Sequence, residues 1–266
     1  MPTQHSSLLE VVKYMESHWP SQVKPEWQVP IDAYPKIAEN ITKLWAKDAT
    51  KTREFVRIAG LSGSGKTTQL LPAVESHFEK TAKRPILVAA RKFVEFHPFF
   101  NEIKKEYGEA NLRKMTDEFS TIMMFLALSE LINGGYDIIL DVTLLDPKME
   151  AILIQMLVKN QYVTWLTMVA VSPTITEKFL GERSWRHTKA TEQEFIRATS
   201  LALAFYQENL PDMRIVLWNV WDINPIYDGK IKTALETWNK YIKINDYETK
   251  FTENDLREAK IRYLAN

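Results

Sequence analysis

Cysteine is absent from this chain of 266 residues. Its absence excludes disulfide scaffolds, cysteine-ligated metal sites and cysteine nucleophiles, and nothing ties the chain to an oxidising compartment. Long apolar runs are also missing, because runs such as 86–90 and 138–140 fall far short of the roughly 20 residues that span a bilayer. Residues 1–9 are polar and show no signal-peptide pattern. We therefore expect a cytoplasmic protein without a membrane partner.

An excess of charge of either sign is absent too. Lys and Arg together number 34, Asp and Glu together number 34, and the formal net charge is zero. A neutral balance disfavours a nucleic acid as partner, since such proteins usually carry a basic surface. The 45% hydrophobic and 26% charged residues are typical of a globular protein with a sizeable core.

Short strand patterns alternate with longer helical patterns from residue 55 onward. The strand patterns cover 55–59, 86–90, 137–142, 163–171 and 214–220, and the helical ones cover 67–78, 117–132, 147–159 and 191–209. This alternation predicts an α/β fold, with a mostly parallel five-stranded sheet between helices. A capping box from Thr191 to Glu194 predicts the start of the last of these helices.

The two ends of the chain are predicted to be helical. Prolines interrupt residues 1–52, where we expect helices at 8–18 and 34–47 that pack on the core as an N-terminal segment. Residues 53–266 form the predicted main domain, and two amphipathic helices are expected within 230–266.

A complete Walker A motif, G-x-x-x-x-G-K-[ST], extends from Gly60 to Thr67 between a predicted strand and a predicted helix. In such a loop the glycines let successive N–H groups form a phosphate cradle at a helix N-terminus. Lys66 is expected to reach the β- and γ-phosphates, and the Thr67 hydroxyl to coordinate Mg²⁺. We predict ATP and Mg²⁺ as cofactors, with nucleotide-binding residues Gly60, Ser62, Gly63, Ser64, Gly65, Lys66, Thr67 and Thr68.

Two further patterns fit phosphoryl transfer. Asp141 ends a predicted strand, where it would supply the carboxylate near Mg²⁺; the alternative is a strand-end aspartate that makes a turn. The basic segment 181–190 contains Arg183, Arg186 and Lys189. It is expected to close over the nucleotide as a lid whose cations stabilise charge on the transferred group; the alternative is a solvated basic loop.

Four stretches in order resemble the zeta toxin family of P-loop kinases. They are the Walker A motif, residues 91–100 (family pattern D-x-F-x-x-x-H-P-x-F), residues 135–143 (G-Y-x-h-h-h-E-x-T), and residues 168–171 followed by Glu182 and Arg183 (M-h-A-V and E-R). The resemblance implies phosphorylation of a sugar hydroxyl of UDP-N-acetylglucosamine with ATP and Mg²⁺, and a small helical antitoxin as partner. It also implies substrate contacts from His97 and Thr143; for His97 a structural role beside Pro98 is the alternative. Arg91 is the third candidate for binding substrate, because its guanidinium can hold a phosphate of the acceptor in a bidentate contact.

The chain departs from the family pattern in its substrate half. The family's catalytic aspartate falls at Arg91, which cannot act as a base because a guanidinium donates hydrogen bonds and accepts none. A substrate-binding glutamate falls at Phe125, an arginine falls at Leu145, and the second lid arginine falls at Lys189. Asp141 or Glu95 is then the candidate general base.

From these observations we expect a kinase that transfers a phosphoryl group from ATP to a hydroxyl of a small molecule, a nucleotide sugar or nucleotide. The residues expected to act on the phosphates are Lys66, Asp141, Arg183, Arg186 and Lys189, with Thr67 and Asp141 on the metal. Two alternatives stay open: a nucleotide-binding regulator without kinase activity, favoured by the missing aspartate, and a kinase acting on nucleic-acid ends.

Overall fold

A mostly parallel sheet forms the centre of the computed structural model, which describes residues 12–13, 16–17, 21–60, 64–143, 147–169, 189–218 and 225–244. Its strands are β1 (Glu54–Ala59), β2 (Ile86–Val88), β3 (Ile138–Asp141), β4 (Val163–Val169), β5 (Arg214–Trp218) and β6 (Pro225–Lys230). Their spatial order is β2-β3-β1-β4-β5-β6. The first five strands are parallel to one another, which confirms the predicted fold class.

The predicted number of five strands is wrong, because the sheet has six within the described residues. The additional strand, β6, pairs antiparallel with β5 at the edge of the sheet. Its sequence, PIYDGK, contains Pro, Asp and Gly, which have low strand propensity. Arg214 on β5 donates two hydrogen bonds, of 2.8 and 2.7 Å, to the carboxylate of Asp228 on β6. The neighbouring strand therefore determines the conformation of β6.

Eight helices accompany the sheet in the part of the chain that the structure describes. They are α1 (Tyr34–Trp45), α2 (Leu71–Lys80), α3 (Phe100–Tyr107), α4 (Leu112–Met115), α5 (Asp117–Asn133), α6 (Pro147–Lys159), α7 (Lys189–Asn209) and α8 (Ile231–Ile244). A turn of π-helix (Lys66–Leu70) leads into α2, and 3₁₀ turns include Ala90–Phe96. None of the described helices is long and apolar enough to cross a membrane.

The predicted helix boundaries differ from the observed ones where local signals compete. Helix α7 begins at Lys189, two residues before the expected cap at Thr191, and Lys189 and Ala190 are good helix formers. The π turn before α2 ends next to Pro72, which has no N–H for a regular helical hydrogen bond. Most of the predicted helix 8–18 and the second C-terminal helix lie outside the described residues.

The N-terminal segment packs against α5. Tyr34, Ala38 and Ile41 of α1 are buried in the same apolar cluster as Phe119 of α5, and the Tyr34 and Phe119 rings lie 5.8 Å apart. Burial of a large aromatic side chain removes about 150–250 Å² of surface from water. Helix α1 is thus held by the hydrophobic effect, while the division of the chain at residue 52 stays a prediction.

Strand order places the candidate site. Strand β1 lies between β3 and β4, so the chain connections leave the centre of the sheet in opposite directions. In open α/β sheets a crevice forms at this switch point, beyond the carboxyl ends of the strands. Gly60 follows β1 there and Asp141 ends β3.

Candidate functional site

The loop after β1 has the backbone conformation that its glycines predict. Gly60 has φ +143° and Gly65 has φ +88°, and both values are unfavourable for residues with a side chain. A Cβ on Gly60 would also lie 2.8 Å from Ser64 Oγ and 3.2 Å from the Val169 carbonyl oxygen. Glycine is therefore required at Gly60 both for the turn and for the close approach of β4.

The side chains at the helix N-terminus face the same region. Lys66 Nζ donates a 2.7 Å hydrogen bond to the Gly60 carbonyl, which holds the ammonium group across the loop. Thr67 and Thr68 are exposed at the start of the helical turn. Ser64 is 1% exposed, and its Oγ is buried without a hydrogen-bond partner among the described residues. A phosphate oxygen would satisfy such a hydroxyl.

Asp141 lies next to this loop because β3 and β1 are adjacent and parallel. In their register Ile58 is opposite Asp141, and the Val142 N–H donates to the Ile58 carbonyl oxygen at 3.3 Å. Asp141 is therefore two residues from the level of Gly60, at the same edge of the sheet. Its side chain is only 2% exposed.

The guanidinium of Arg91 forms an ion pair with the carboxylate of Asp141. Arg91 is the second residue of the 3₁₀ turn that follows β2, the neighbour of β3, and its Nη1 lies 2.5 Å from Asp141 Oδ2. The two side chains differ in access to solvent, since that of Arg91 is 43% exposed. A guanidinium thus contacts the carboxylate that is expected to hold the metal, while the correspondence of Arg91 with the family's aspartate stays a prediction.

The donor set fits Mg²⁺ and a nucleoside triphosphate. One carboxylate (Asp141) and one hydroxyl (Thr67) are hard oxygen ligands, and Mg²⁺ commonly takes one or two protein carboxylates together with substrate phosphates. Among the described residues there is no cluster of three or more His, Asp or Glu side chains that would hold a metal without such phosphates. The unpartnered Ser64 hydroxyl and the glycine turn fit the phosphates themselves.

His97 is part of the packing beneath this edge. It is 4% exposed, its Nδ1 accepts a 3.1 Å hydrogen bond from the Phe99 N–H, and its ring lies 4.6 Å from that of Phe119. Burial lowers the pKa of His97 to about 4, so the ring is neutral at neutral pH. This geometry favours the structural alternative for His97, and a contact with substrate stays a prediction.

The remaining candidates are distributed unevenly. Thr143 follows Asp141 and is partly exposed, and Glu95 is exposed on the turn that carries Arg91. Phe125, in place of a polar family residue, packs against the main apolar core. Lys189 is the first residue of α7. The candidates outside the described residues are Ser62, Gly63, Arg183 and Arg186, together with Leu145.

Sequence reasoning missed the structural importance of Asp137, at the other end of β3. This residue is fully buried, and its carboxylate accepts hydrogen bonds from Thr50 Oγ1, Thr52 Oγ1, the Thr52 N–H and the Glu54 N–H at 2.5–3.0 Å. The available signal was an acidic residue before an apolar strand, with two threonines ahead of β1. Only the fold shows that they meet.

A buried ion pair was also missed. Arg57 on β1 is 1% exposed and its Nη2 lies 2.5 Å from Oε1 of Glu150 on α6, which is 4% exposed. Arg57 lies between the apolar residues Val56 and Ile58 in its strand, which was the signal available from the sequence. A buried arginine requires an acidic partner, but the sequence does not say which one.

Comparison with known proteins gives a match to one family model. The family model described as zeta toxin matches residues 41–209, more than half of the chain. A search of curated proteins finds no match to this chain.

Two solved structures are similar in fold. One belongs to the PezAT chromosomal toxin–antitoxin system of the human pathogen Streptococcus pneumoniae; it has a TM-score of 0.61 and 16% identity, covering 90% of this chain and 97% of that chain. The other is AvrRxo1-ORF1:AvrRxo1-ORF2 with sulphate ions, with a TM-score of 0.54, 15% identity, and coverage of 92% and 91%. At such identities the likeness concerns the fold alone.

Proposed function

This chain belongs to the zeta toxin family, whose members are P-loop kinases, and on that premise we propose that it transfers the γ-phosphoryl group of ATP to a hydroxyl of a small molecule. The observation that carries the proposal is the phosphate loop. Gly60 and Gly65 adopt positive φ values, the Lys66 side chain lies across the loop, and the Ser64 hydroxyl is buried without a partner among the described residues. A nucleotide-binding, kinase-like function follows from the family, and the acceptor is the new part of the proposal.

Each residue has a role set by its charge and position. Lys66 neutralises the β- and γ-phosphates, and the loop N–H groups orient them. Thr67 and Asp141 would hold Mg²⁺, which supplies charge neutralisation on the phosphate oxygens when bound. Arg183, with Arg186 or Lys189, stabilises the charge that spreads over the equatorial oxygens in the transition state. Positioning and charge therefore provide most of the catalysis.

The acceptor is a nucleotide sugar or a nucleotide. Support comes from Arg91, a guanidinium that is 43% exposed at the carboxyl edge of the sheet and can donate to a phosphate through its planar fork. Thr143 and His97 are the other proposed contacts. Asp141 or Glu95 accepts the proton of the attacking hydroxyl, since Arg91 cannot.

One observation favours a second function, a regulator that binds the nucleotide without transferring phosphate. Arg91 pairs with Asp141, so the carboxylate that a kinase uses for its metal is already neutralised. In a regulator this pair would be permanent. In a kinase it has to open during the reaction cycle.

Radiolabelled transfer separates these functions. The protein is incubated with ATP labelled on the γ-phosphate, Mg²⁺ and a panel of nucleotide sugars, nucleotides, nucleosides and oligonucleotides. We expect label on a nucleotide sugar or nucleotide, and none with Lys66→Ala. Nucleotide binding without label on any member would favour the regulator, and label on oligonucleotides alone would favour a kinase of nucleic-acid ends.

A protein inhibitor is the proposed partner, because the similar PezAT structure is described as part of a toxin–antitoxin system. An inhibitor is needed only if the active protein harms its host. Expression of the wild-type chain should then arrest bacterial growth, and expression of Lys66→Ala at the same level should not. Equal growth with both would remove the basis for an antitoxin.

A further inference from the structure

Arg91 and Asp141 form an asymmetric ion pair. The carboxylate is almost completely buried, with a side chain 2% exposed, whereas the guanidinium side chain is 43% exposed. Among the described residues Asp141 is the one acidic group within salt-bridge distance of Arg91. Arg91 can therefore leave the pair and be solvated, while Asp141 stays in place and needs another cation.

The pair and a metal ion exclude each other at one carboxylate. Two cations that contact the same carboxylate repel each other, and the repulsion is larger when one of them is divalent. Mg²⁺ also requires nearly octahedral oxygen ligands, which a guanidinium nitrogen against Asp141 obstructs. Mg²⁺ thus reaches Asp141 only after Arg91 has moved.

A phosphate group is the ligand chemistry that can move it. Arg91 presents a planar fork of donors, which matches phosphate in a bidentate contact. A phosphate carries more negative charge than a single carboxylate, and the exposed side of Arg91 gives it access from solvent.

We propose that a phosphate of the acceptor draws Arg91 away from Asp141 and so releases that carboxylate for Mg²⁺. Arg91 is then a positioning residue that couples acceptor binding to metal binding. Without acceptor, ATP binds with little help from Mg²⁺, which suppresses loss of its γ-phosphate to water. The inference rests on the proposed function and deepens it, since it requires an acceptor that carries phosphate.

The test measures binding and needs no turnover. The dissociation constant of ATP is determined by calorimetry with excess EDTA and with saturating Mg²⁺. The ratio of the constant in EDTA to the constant in Mg²⁺ reports how much Mg²⁺ strengthens ATP binding. We expect a ratio near one for the wild type and a ratio larger by about fivefold or more for Arg91→Met, because Asp141 is then available. Arg91→Met/Asp141→Asn should return the ratio to the wild-type value. Lys92→Met, which removes a neighbouring charge, should leave it unchanged.

Inorganic phosphate is the probe for the acceptor. Millimolar phosphate should raise the ratio for the wild type and leave that of Arg91→Met unchanged. Phosphate also competes with ATP for the loop. This competition weakens ATP binding equally with and without Mg²⁺, so it does not change the ratio of the two dissociation constants. Thermal unfolding gives a second readout: with ATP present, Mg²⁺ should raise the melting temperature of Arg91→Met more than that of the wild type.

The outcomes are distinct. Equal ratios for wild type and Arg91→Met would overturn the inference, and so would a ratio that phosphate raises in both. A large ratio in the wild type without phosphate would show that the ion pair does not obstruct the metal. If neither the wild type nor the variants bind ATP, the proposed function itself is overturned.

Discussion

Asp137 and Asp141 lie at opposite ends of β3, and their surroundings differ in the number of hydrogen-bond partners and in the exposure of those partners to solvent. Asp137, at the amino end, receives four hydrogen bonds from the segment between residues 50 and 54. Asp141, at the carboxyl end, has Arg91 as its one side-chain partner among the described residues, and that partner is partly exposed. A carboxylate saturated by the chain has no capacity left for a ligand, whereas one held by a single exposed cation can exchange it.

The same contrast separates the two edges of the sheet. At the amino edge Glu54 binds Lys83 at 2.6 Å, His77 at 2.9 Å and the Trp165 Nε1–H at 3.1 Å. At the carboxyl edge Ser64 Oγ is buried without a partner among described residues, and Lys66 contacts a backbone carbonyl. Polar groups at the amino edge bind one another within the fold. Ser64 and Lys66 at the carboxyl edge are the groups proposed to bind phosphate.

The largest expected effect is at the carboxyl edge. Lys66→Ala should lower the phosphoryl-transfer rate by about 10³-fold or more, because a preorganised cation beside the phosphates is removed. It should also weaken ATP binding in a calorimetric titration while leaving the melting temperature nearly unchanged. Lys92→Met is the matched control, and unchanged ATP affinity in Lys66→Ala would contradict the assignment of the loop.

The next effect is at the amino edge and concerns stability. Asp137→Ala should lower the free energy of unfolding by more than about 3 kcal/mol, since hydrogen bonds to a charged group contribute about 1.5–3 kcal/mol each and four donors lose their acceptor. Urea denaturation measures this. Asp137→Asn keeps one acceptor oxygen, so its free energy of unfolding should lie between those of the wild type and Asp137→Ala. A loss below about 1 kcal/mol for Asp137→Ala would show that water replaces the carboxylate.

Asp141→Asn should show the opposite pattern. We expect a decrease of about 10²-fold in turnover with acceptor, because the carboxylate no longer holds the metal. The free energy of unfolding should change by less than about 1 kcal/mol, since the remaining Arg91 is exposed enough to be solvated. Activity and denaturation are measured on the same preparation, and a fold as unstable as that of Asp137→Ala would erase the distinction between the two ends of β3.

The smallest effect tests whether His97 belongs to the packing. Because burial holds its folded pKa at about 4, below the usual 6.5, the unfolded state binds the proton first as the pH falls. The wild type should therefore lose about 2 kcal/mol between pH 7 and pH 5 from this group alone. His97→Gln cannot titrate and should lack that part of the loss. Parallel stability curves for the two proteins would place His97 in contact with solvent.

The phosphate loop could be read from the sequence because its geometry is local. The glycines at 60 and 65 take conformations that other residues avoid, and the lysine and threonine follow at fixed positions on a helical turn. The parallel sheet was also predictable, since alternating apolar strands and helices leave few other arrangements. Family membership, expected from four short stretches, is confirmed by the match over residues 41–209.

Elements whose conformation depends on a neighbour were less predictable. Strand β6 lacks a strand pattern of its own, and the short helices α3 and α4 between β2 and α5 were not expected. His97 looks like a polar ligand in the sequence, but its burial against Phe119 is decided by a helix that begins some 20 residues later.

The sequence by itself determined the phosphate loop and the alternation of the first five strands with the longer helices, because each depends on residue types at short spacings. The tertiary structure alone decided which charges meet. Arg91 and Asp141 are 50 residues apart, and Asp137 and its threonine partners are 85–87 apart. Coulomb interactions and hydrogen bonds act over only a few ångströms, so such pairs exist only once parallel β1, β2 and β3 are aligned in register.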